Sequence, residues 1–361
     1  MKEVINFIKN NVVDKIIIKD IRVYGWQLEY DHKIISSAAK YLFEDLSFNE
    51  NIVEVNDDNR PGIVKPNRYV TVHDTGDASH LHTAKFWSEA VYNRSWEQSP
   101  GDVVKYLCSY QYVVDNEGIY HNVPDNEVAY HAGDGTKFDY TLYKTNVIDD
   151  GKKGVVTISS DGYYEINNQV TNIKAPRIYQ EKNGEVIVDR IPTTSDINDQ
   201  SILCKVVDGY YHLGETYYSP GYKKIANRGG NNNSIGIESC ITYGTDIYYT
   251  WQKTAKLVAY LLDENNLTID DVKQHHYFSG KNCPQTIRMN GFWDHFLELV
   301  KVELQMRLFI KTGYTFKLVT NDSRISSNGR IKLNDDQKPL SFMIEVSKGE
   351  EKETIEFNVS L

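Results

Sequence analysis

Residues 272–288 read VKQHHYFSGKNCPQTIR, and the rest of the chain is best understood from them. His275 stands eight positions before Cys283, Lys281 two before it, and Pro284 directly after it. One imidazole nitrogen and one thiolate make half of a tetrahedral zinc site. The spacing suggests a strand that ends at the histidine and a tight Ser279-Gly280 turn that brings the cysteine back. A half-site of this kind needs partners from elsewhere in the chain.

Composition narrows where those partners can lie and what they can serve. At 361 residues the chain is long enough for two domains and a proper core. Its net charge of −10 argues against a general nucleic-acid binder, which would carry a basic stripe. No apolar run approaches the roughly 18 residues that a membrane span requires. The first 26 residues, MKEVINFIKNNVVDKIIIKDIRVYGW, interrupt their apolar positions with charges and so lack a signal-peptide core. Either the protein leaves its cell by another route, as a lysis enzyme does, or further residues precede this sequence. Tyrosine is frequent, 26 of 361, which suits stacking on sugar faces and equally suits half-buried strand positions. Of four cysteines, metal binding by Cys283 leaves an odd three, which favours free thiols. Cys108 and Cys240 lie in apolar, strand-like runs where buried cysteine is common.

Residues 1–60 read as an accessory segment, with an amphipathic helix over Ile34–Leu46 and a polar entry loop, VNDDNRPGIVKPN, at 55–67. Arg68–His73 alternates as a buried strand that stops at Asp74-Thr75-Gly76, so His73 sits at a strand end, where α/β proteins place chemistry. Ala84–Tyr92 has helical spacing, and Tyr106–Asp115 with Ile119–Val123 reads as a hairpin. Residues 136–232 break this pattern. They are rich in Tyr, Thr, Gly, Asn and Asp, with short β-like runs at 155–159, 163–166, 185–189, 204–207 and 210–213, a β-rich insertion. Ser234–Cys240 is a short buried strand; Thr250–Glu264, with Thr250 as N-cap, and Phe292–Leu304 have helical stripes. Beyond a boundary near 305–307 the period becomes two, which suggests a small β-sandwich module at 306–361.

His73 is the best third ligand, with His80, His82, His121, His131, His212, His276 and His295 as competitors. Four motifs now combine: HDTG at 73–76, SYQYVVDNEGIYHNVPDNEVAYHAGDG at 109–135, SIGIE at 234–238 and VKQHHYFSGKNCP at 272–284. Together they resemble the zinc-dependent N-acetylmuramoyl-L-alanine amidases, the amidase-2 family of phage endolysins and bacterial autolysins related to peptidoglycan-recognition proteins. The resemblance covers about residues 61–304 apart from the insertion. It implies an α/β catalytic domain at 61–305, a mixed central sheet flanked by helices, with the β-rich insertion inside it. The module at 306–361 resembles small bacterial immunoglobulin-like domains found beside cell-surface enzymes, as wall binder or spacer.

The resemblance implies zinc ligands at His73, His275 and Cys283; His275 is preferred to His276 because the family's second histidine stands eight residues before the cysteine. His276 is then a neighbour on the other strand face. Glu238 is implied as base or proton shuttle, Lys281 as a donor to the oxyanion, and Tyr110 as an assisting tyrosine. The chemistry agrees: a bound zinc lowers the pKa of water to about 7 and polarises a carbonyl, while a base and a donor handle proton and oxyanion. Gln111 stands where many relatives carry histidine, and Tyr130 where they carry tryptophan. The implied substrate is peptidoglycan, glycan strand and stem peptide, and the implied place of action is the bacterial cell wall. Two alternatives stay beside this one. A non-catalytic peptidoglycan-binding module on the same fold would typically lack the cysteine. A cysteine nucleophile at Cys283 would need a base and a lowered pKa, and Cys-Pro offers no evident helix N-terminus for the latter.

Overall fold

The computed structural model describes residues 1–13, 18–23, 28–34, 37–132, 142–175, 177–182, 185–198, 204–214, 230–279, 281–331 and 338–360. They divide into two compact units, one of 1–131, 231–273 and 284–361, the other of 132–230 and 274–283.

The first unit is organised on a six-stranded sheet. Its order is Val272–Gln274, Tyr69–Asp74, Ser234–Ser239, Tyr112–Val114, Ile119–His121 and Asn49–Glu50. Ser234–Ser239 runs parallel to Tyr69–Asp74 in unbroken register, from Ser234 opposite Tyr69 to Ser239 opposite Asp74. It is also parallel to Tyr112–Val114, which turns back antiparallel into Ile119–His121. The sheet is therefore mixed, as the resemblance implies. Its central strands are buried on both faces.

Helices cover both faces. Tyr112 and Val114 point into a core with Trp251, Ala255, Val258 and Leu262 of the helix Ile247–Glu264 and Phe296, Leu299 and Val300 of the helix Trp293–Lys311. Val113, between them, points the other way onto Trp87, Ala90 and Val91 of the helix Ala84–Asn93. Thr83 caps that last helix through Phe86 N–H. The cap of Ile247–Glu264 is Asp246, which accepts from Tyr249 N–H; Thr250, read as the cap, lies inside the first turn. The Tyr106–Asp115 strand is shorter than its alternation suggests, only Tyr112–Val114, with Gln111 directly before it. The Gln111 side-chain Oε1 accepts from Gly236 N–H at 2.7 Å and its Nε2 donates to the Glu127 carbonyl at 2.8 Å.

The two ends of the chain share one core. Val4, Ile5 and Ile8 of the helix Lys2–Asn11 pack with Met306, Phe309, Leu340, Phe342, Ile344 and Ile355. Thr315–Val319, Leu340–Lys348 and Glu351–Val359 form a three-stranded antiparallel sheet, its alternation set by Leu340, Phe342, Ile344 and Val346. Among the described residues this module is one three-stranded sheet that shares its core with the helices Lys2–Asn11 and Trp293–Lys311. The helix Trp293–Lys311 runs through the boundary placed near 305–307 and carries residues of both cores.

No helix forms over the described part of Ile34–Leu46; residues 35–36 lie outside the described residues. The segment is instead a strap whose donors are taken by distant groups. Ala38 N–H donates to Gly329 O, Lys40 N–H to Val12 O, and Leu42 N–H to the Glu303 carboxylate. Ser37 and Ala39 bridge Arg330 and Val13. Helical spacing of its apolar residues was met by burial from several sides, and tertiary partners override local propensity.

In the second unit the insertion is β-rich as expected. Cys204–Val207, Tyr210–Leu213 and Tyr143–Ile148 form one sheet, and Val156–Ile158, Tyr163–Ile166 and Gln169–Lys174 another. Val147, Tyr164, Ile166, Ala175, Tyr211 and Leu213 are their shared core. Asp208-Gly209 and Asn167-Asn168 both take positive φ, the geometry of two-residue hairpin turns. Tyr143–Ile148, Gln169–Lys174 and Ile178–Lys182 are strands the composition reading missed. Among the described residues no helix is long and apolar enough to cross a membrane.

Candidate metal centre

His73 is the fifth residue of Tyr69–Asp74 and is 1% exposed. Parallel register sets Glu238 directly beside it, and Glu238 Oε1 lies 3.8 Å from His73 Nδ1. On the other ring nitrogen, His73 Nε2 shares a 2.9 Å hydrogen bond with His131 Nδ1.

Asp74 anchors the same strand end. Its Oδ2 accepts from both Thr286 N–H and Thr286 Oγ1–H at 2.6 Å, and Thr286 follows Cys283 by three residues. Burial pushes the Asp74 carboxyl up to about 6, against the two Thr286 hydrogen bonds, which pull it down. Asp74→Ala leaves two buried donors at the start of the helix Gln285–Met289 without their acceptor. The expected cost is about 1–3 kcal/mol per group left unsatisfied, read as a lowered melting temperature; an unchanged melt would mean that the loop holds itself.

The stretch 272–288 differs in one respect from its sequence reading. The strand stops at Gln274, and His275 is the first residue of a short helix, His275–Ser279, instead of a strand end. His276 is thus half-buried on a helical turn and not on an opposite strand face. Its N–H donates to the Cys283 carbonyl at 3.1 Å, and Cys283 N–H donates to Lys281 O at 2.7 Å, which closes the loop on backbone bonds. Gly280, half of the expected Ser-Gly turn, lies outside the described residues. A five-residue helix does start two positions after Cys283, where Cys-Pro suggested none, with Pro284 at its N-cap.

His73, His275 and Cys283 each offer one ligand atom, and these atoms lie within 4.8 Å of one another. All three residues are buried, His275 at 7% and Cys283 at 4% exposure. Two imidazole nitrogens and one thiolate at this separation fit a zinc ion, with a fourth position for water.

Lys281 is exposed. Tyr110 corrects the role expected for it. It is 1% exposed, packs with Trp87, Ala90 and Val91, and its hydroxyl donates to the Trp87 carbonyl at 3.1 Å. Burial, and then the neighbouring Tyr106 and the Glu238 charge, raise its pKa well above the usual phenol value. Cys240 is buried as its apolar run suggests, whereas Cys108 is exposed.

Three of the other histidines have evident structural partners. His121 lies between Glu50 and Asp125 and stacks on Tyr112; His82 pairs with Asp77 and stacks on Phe86; His295 meets the Tyr248 hydroxyl at 2.6 Å. His131 was counted only as a competitor. Burial, and then the Lys65 cation, push its pKa down to about 3, so the ring is neutral at physiological pH. The available signal was the glycine in SIGIE, which makes room for that ring.

The family model described as N-acetylmuramoyl-L-alanine amidase (Amidase_2) matches residues 64–286. Among curated proteins, N-acetylmuramoyl-L-alanine amidase CwlH of Bacillus subtilis (strain 168) is 21% identical over 70% of this chain and 60% of its own length. N-acetylmuramoyl-L-alanine amidase CwlA of the same organism is 32% identical over 32% of this chain and 40% of its own. The chain therefore spans less than two thirds of these relatives, 60% and 40% of their lengths. Among solved structures, the catalytic domain of XlyA is 20% identical and covers 71% of this chain and 99% of its own, with a TM-score of 0.39, too low to carry the fold by itself.

Proposed function

The chain belongs to the N-acetylmuramoyl-L-alanine amidase family, and from that premise we propose that it hydrolyses the amide between N-acetylmuramic acid and L-alanine in peptidoglycan. The observation that carries this reading is the convergence of one atom each from His73, His275 and Cys283 to within 4.8 Å. On this reading those three residues hold a zinc ion. When bound, zinc supplies a Lewis acid that polarises an amide carbonyl and lowers the pKa of water.

The chain's own groups do the rest. Glu238, 3.8 Å from His73 Nδ1, takes the proton from attacking water and returns it to the leaving amine. Lys281, on the exposed side of the loop, donates to the oxyanion that develops on the substrate. Asp74 holds the segment after Cys283 through Thr286 and so fixes where the cysteine stands. The substrate is glycan strand with stem peptide, and the place of action is the bacterial cell wall. Residues 61–305 form the catalytic part, about 136–232 being inserted in it, while 1–60 and 306–361 support it through their shared core.

The test is zinc analysis of the purified protein together with peptide release from isolated cell walls, with and without chelator and with Cys283→Ser. One zinc per chain, and new muramic lactyl and alanine termini that chelator and the substitution abolish, are expected. Chelator-resistant release would sink the zinc mechanism, and full zinc without new termini would leave a binding module.

A further inference from the structure

His131 lies at the end of the first unit's Val128–His131 segment, and its N–H donates to Asn231 Oδ1 at 2.9 Å. The ring stands edge-on to His73, with centroids 5.0 Å apart and planes at 88°, so that Nδ1 reaches His73 Nε2 at 2.9 Å. His131 Nε2 is shielded from solvent. This is a seat built for the ring. At Gly236 an added Cβ would fall 2.6 Å from His131 Cγ, 2.7 Å from Cδ2 and 2.8 Å from Nδ1. Contacts that short do not occur between real side chains, so a larger residue at 236 must move something. The strand is poorly able to move. Gly236 is paired to Thr71 on one side, and on the other accepts from Gln111 N–H and donates to Gln111 Oε1. The imidazole is what gives way.

We propose that His131 is a positioning residue for His73: its Nδ1 accepts the proton of His73 Nε2–H and so fixes Nδ1 of His73 as the ligating nitrogen. The proposal rests on the ligand role given to His73 above. A neutral imidazole has one donor and one acceptor nitrogen, and whichever proton is held by a neighbour decides which nitrogen faces the metal. Ligating histidines ordinarily hand that proton to a carboxylate or a main-chain carbonyl. Here the acceptor is a second, uncharged ring. It orients His73 without adding negative charge to the ligand set, and Gly236 is the space it needs.

Two measurements test this. In the zinc-free protein, nitrogen-15 NMR of the histidine rings is expected to find the His73 proton on Nε2, and to find that preference lost in His131→Phe. A proton on Nδ1 of His73 in the parent protein would overturn the proposal whether or not zinc binds. In competition with a chromophoric chelator, His131→Phe is expected to weaken zinc binding about 10- to 100-fold. Gly236→Ala should weaken it similarly while leaving residue 131 a histidine, and it carries the test if His131→Phe fails to fold. His131→Asn, whose amide oxygen can accept near the Nδ1 position, should recover part of the loss. Thermal melts of the zinc-free variants close to that of the parent would separate positioning from general damage. Zinc held equally tightly by the parent and both variants would overturn the role of His131 alone. A parent protein that binds no zinc would overturn the ligand reading itself.

Discussion

Glu238→Gln is expected to lower the rate of amide hydrolysis roughly 10²- to 10⁴-fold while zinc content stays at the parental level. Glutamine keeps the size of the side chain and a hydrogen-bonding oxygen but cannot take a proton, so the substitution isolates proton transfer. The position is dictated by backbone register. Ser234–Ser239 is parallel to Tyr69–Asp74 without a bulge, and Glu238 therefore stands opposite His73 whatever the loops do. The loss should appear in kcat with little change in KM, because an interaction made only in the transition state is removed. A variant that loses zinc together with activity would make Glu238 a holder of His73. A variant that keeps most of its rate would remove it as the base, with Lys281→Ala then the next substitution to compare.

How far this site is legible in sequence follows from where each residue sits on its element. His73 and Glu238 lie at the ends of short alternating runs bounded by turn residues, and Cys283 stands at a fixed spacing from His275, so alternation and spacing announce all three. Neither announces His131 or Asp74. Each acts through a residue far away in the chain, His131 through a gap left by Gly236 and Asp74 through Thr286, and pairings at that separation leave no periodic trace. The same distinction divides the fold. The stripe Trp251, Ala255, Val258, Leu262 is satisfied within one helix packed on one sheet face, and it reads correctly. The spacing of Ala38, Ala39, Leu42 and Leu46 imitates a helix, yet the strap finds its donors' partners in Val12, Gly329 and Glu303. Tyr110 differs again: the resemblance implies an assisting role for it, and the structure sets its hydroxyl on the Trp87 carbonyl in the core.

Glu303 should contribute a loss of stability of order 3 kcal/mol as pH rises from about 4.5 to about 7, and no further change above. Its carboxyl is 2% exposed on the helix Trp293–Lys311. Burial pushes its pKa up to about 7, although the Lys256 ammonium at 3.2 Å and Leu42 N–H at 2.7 Å pull the other way. Because the folded value exceeds the ordinary 4.5, the native state keeps a proton that the unfolded chain has lost across that window. Raising the pH through it therefore favours unfolding. The difference between parent and Glu303→Gln in denaturant titrations at several pH values should trace this slope. His131, held at about 3 and so of opposite slope below its ordinary 6.5, and Asp74, raised to about 6, are common to both. The glutamine still accepts from Leu42 N–H. Glu303→Ala is a different matter. It takes the carboxylate from the Lys256 ammonium, which keeps the Leu42 carbonyl at 2.9 Å, and leaves Leu42 N–H unsatisfied at the strap, at a cost of about 1–3 kcal/mol for that donor. Lys256→Ala should instead extend the slope to higher pH, since the carboxylate then lacks the cation that pulls its pKa down. A Glu303→Gln profile that parallels the parent's from pH 4.5 to 7 would assign the strap's attachment to its backbone bonds alone.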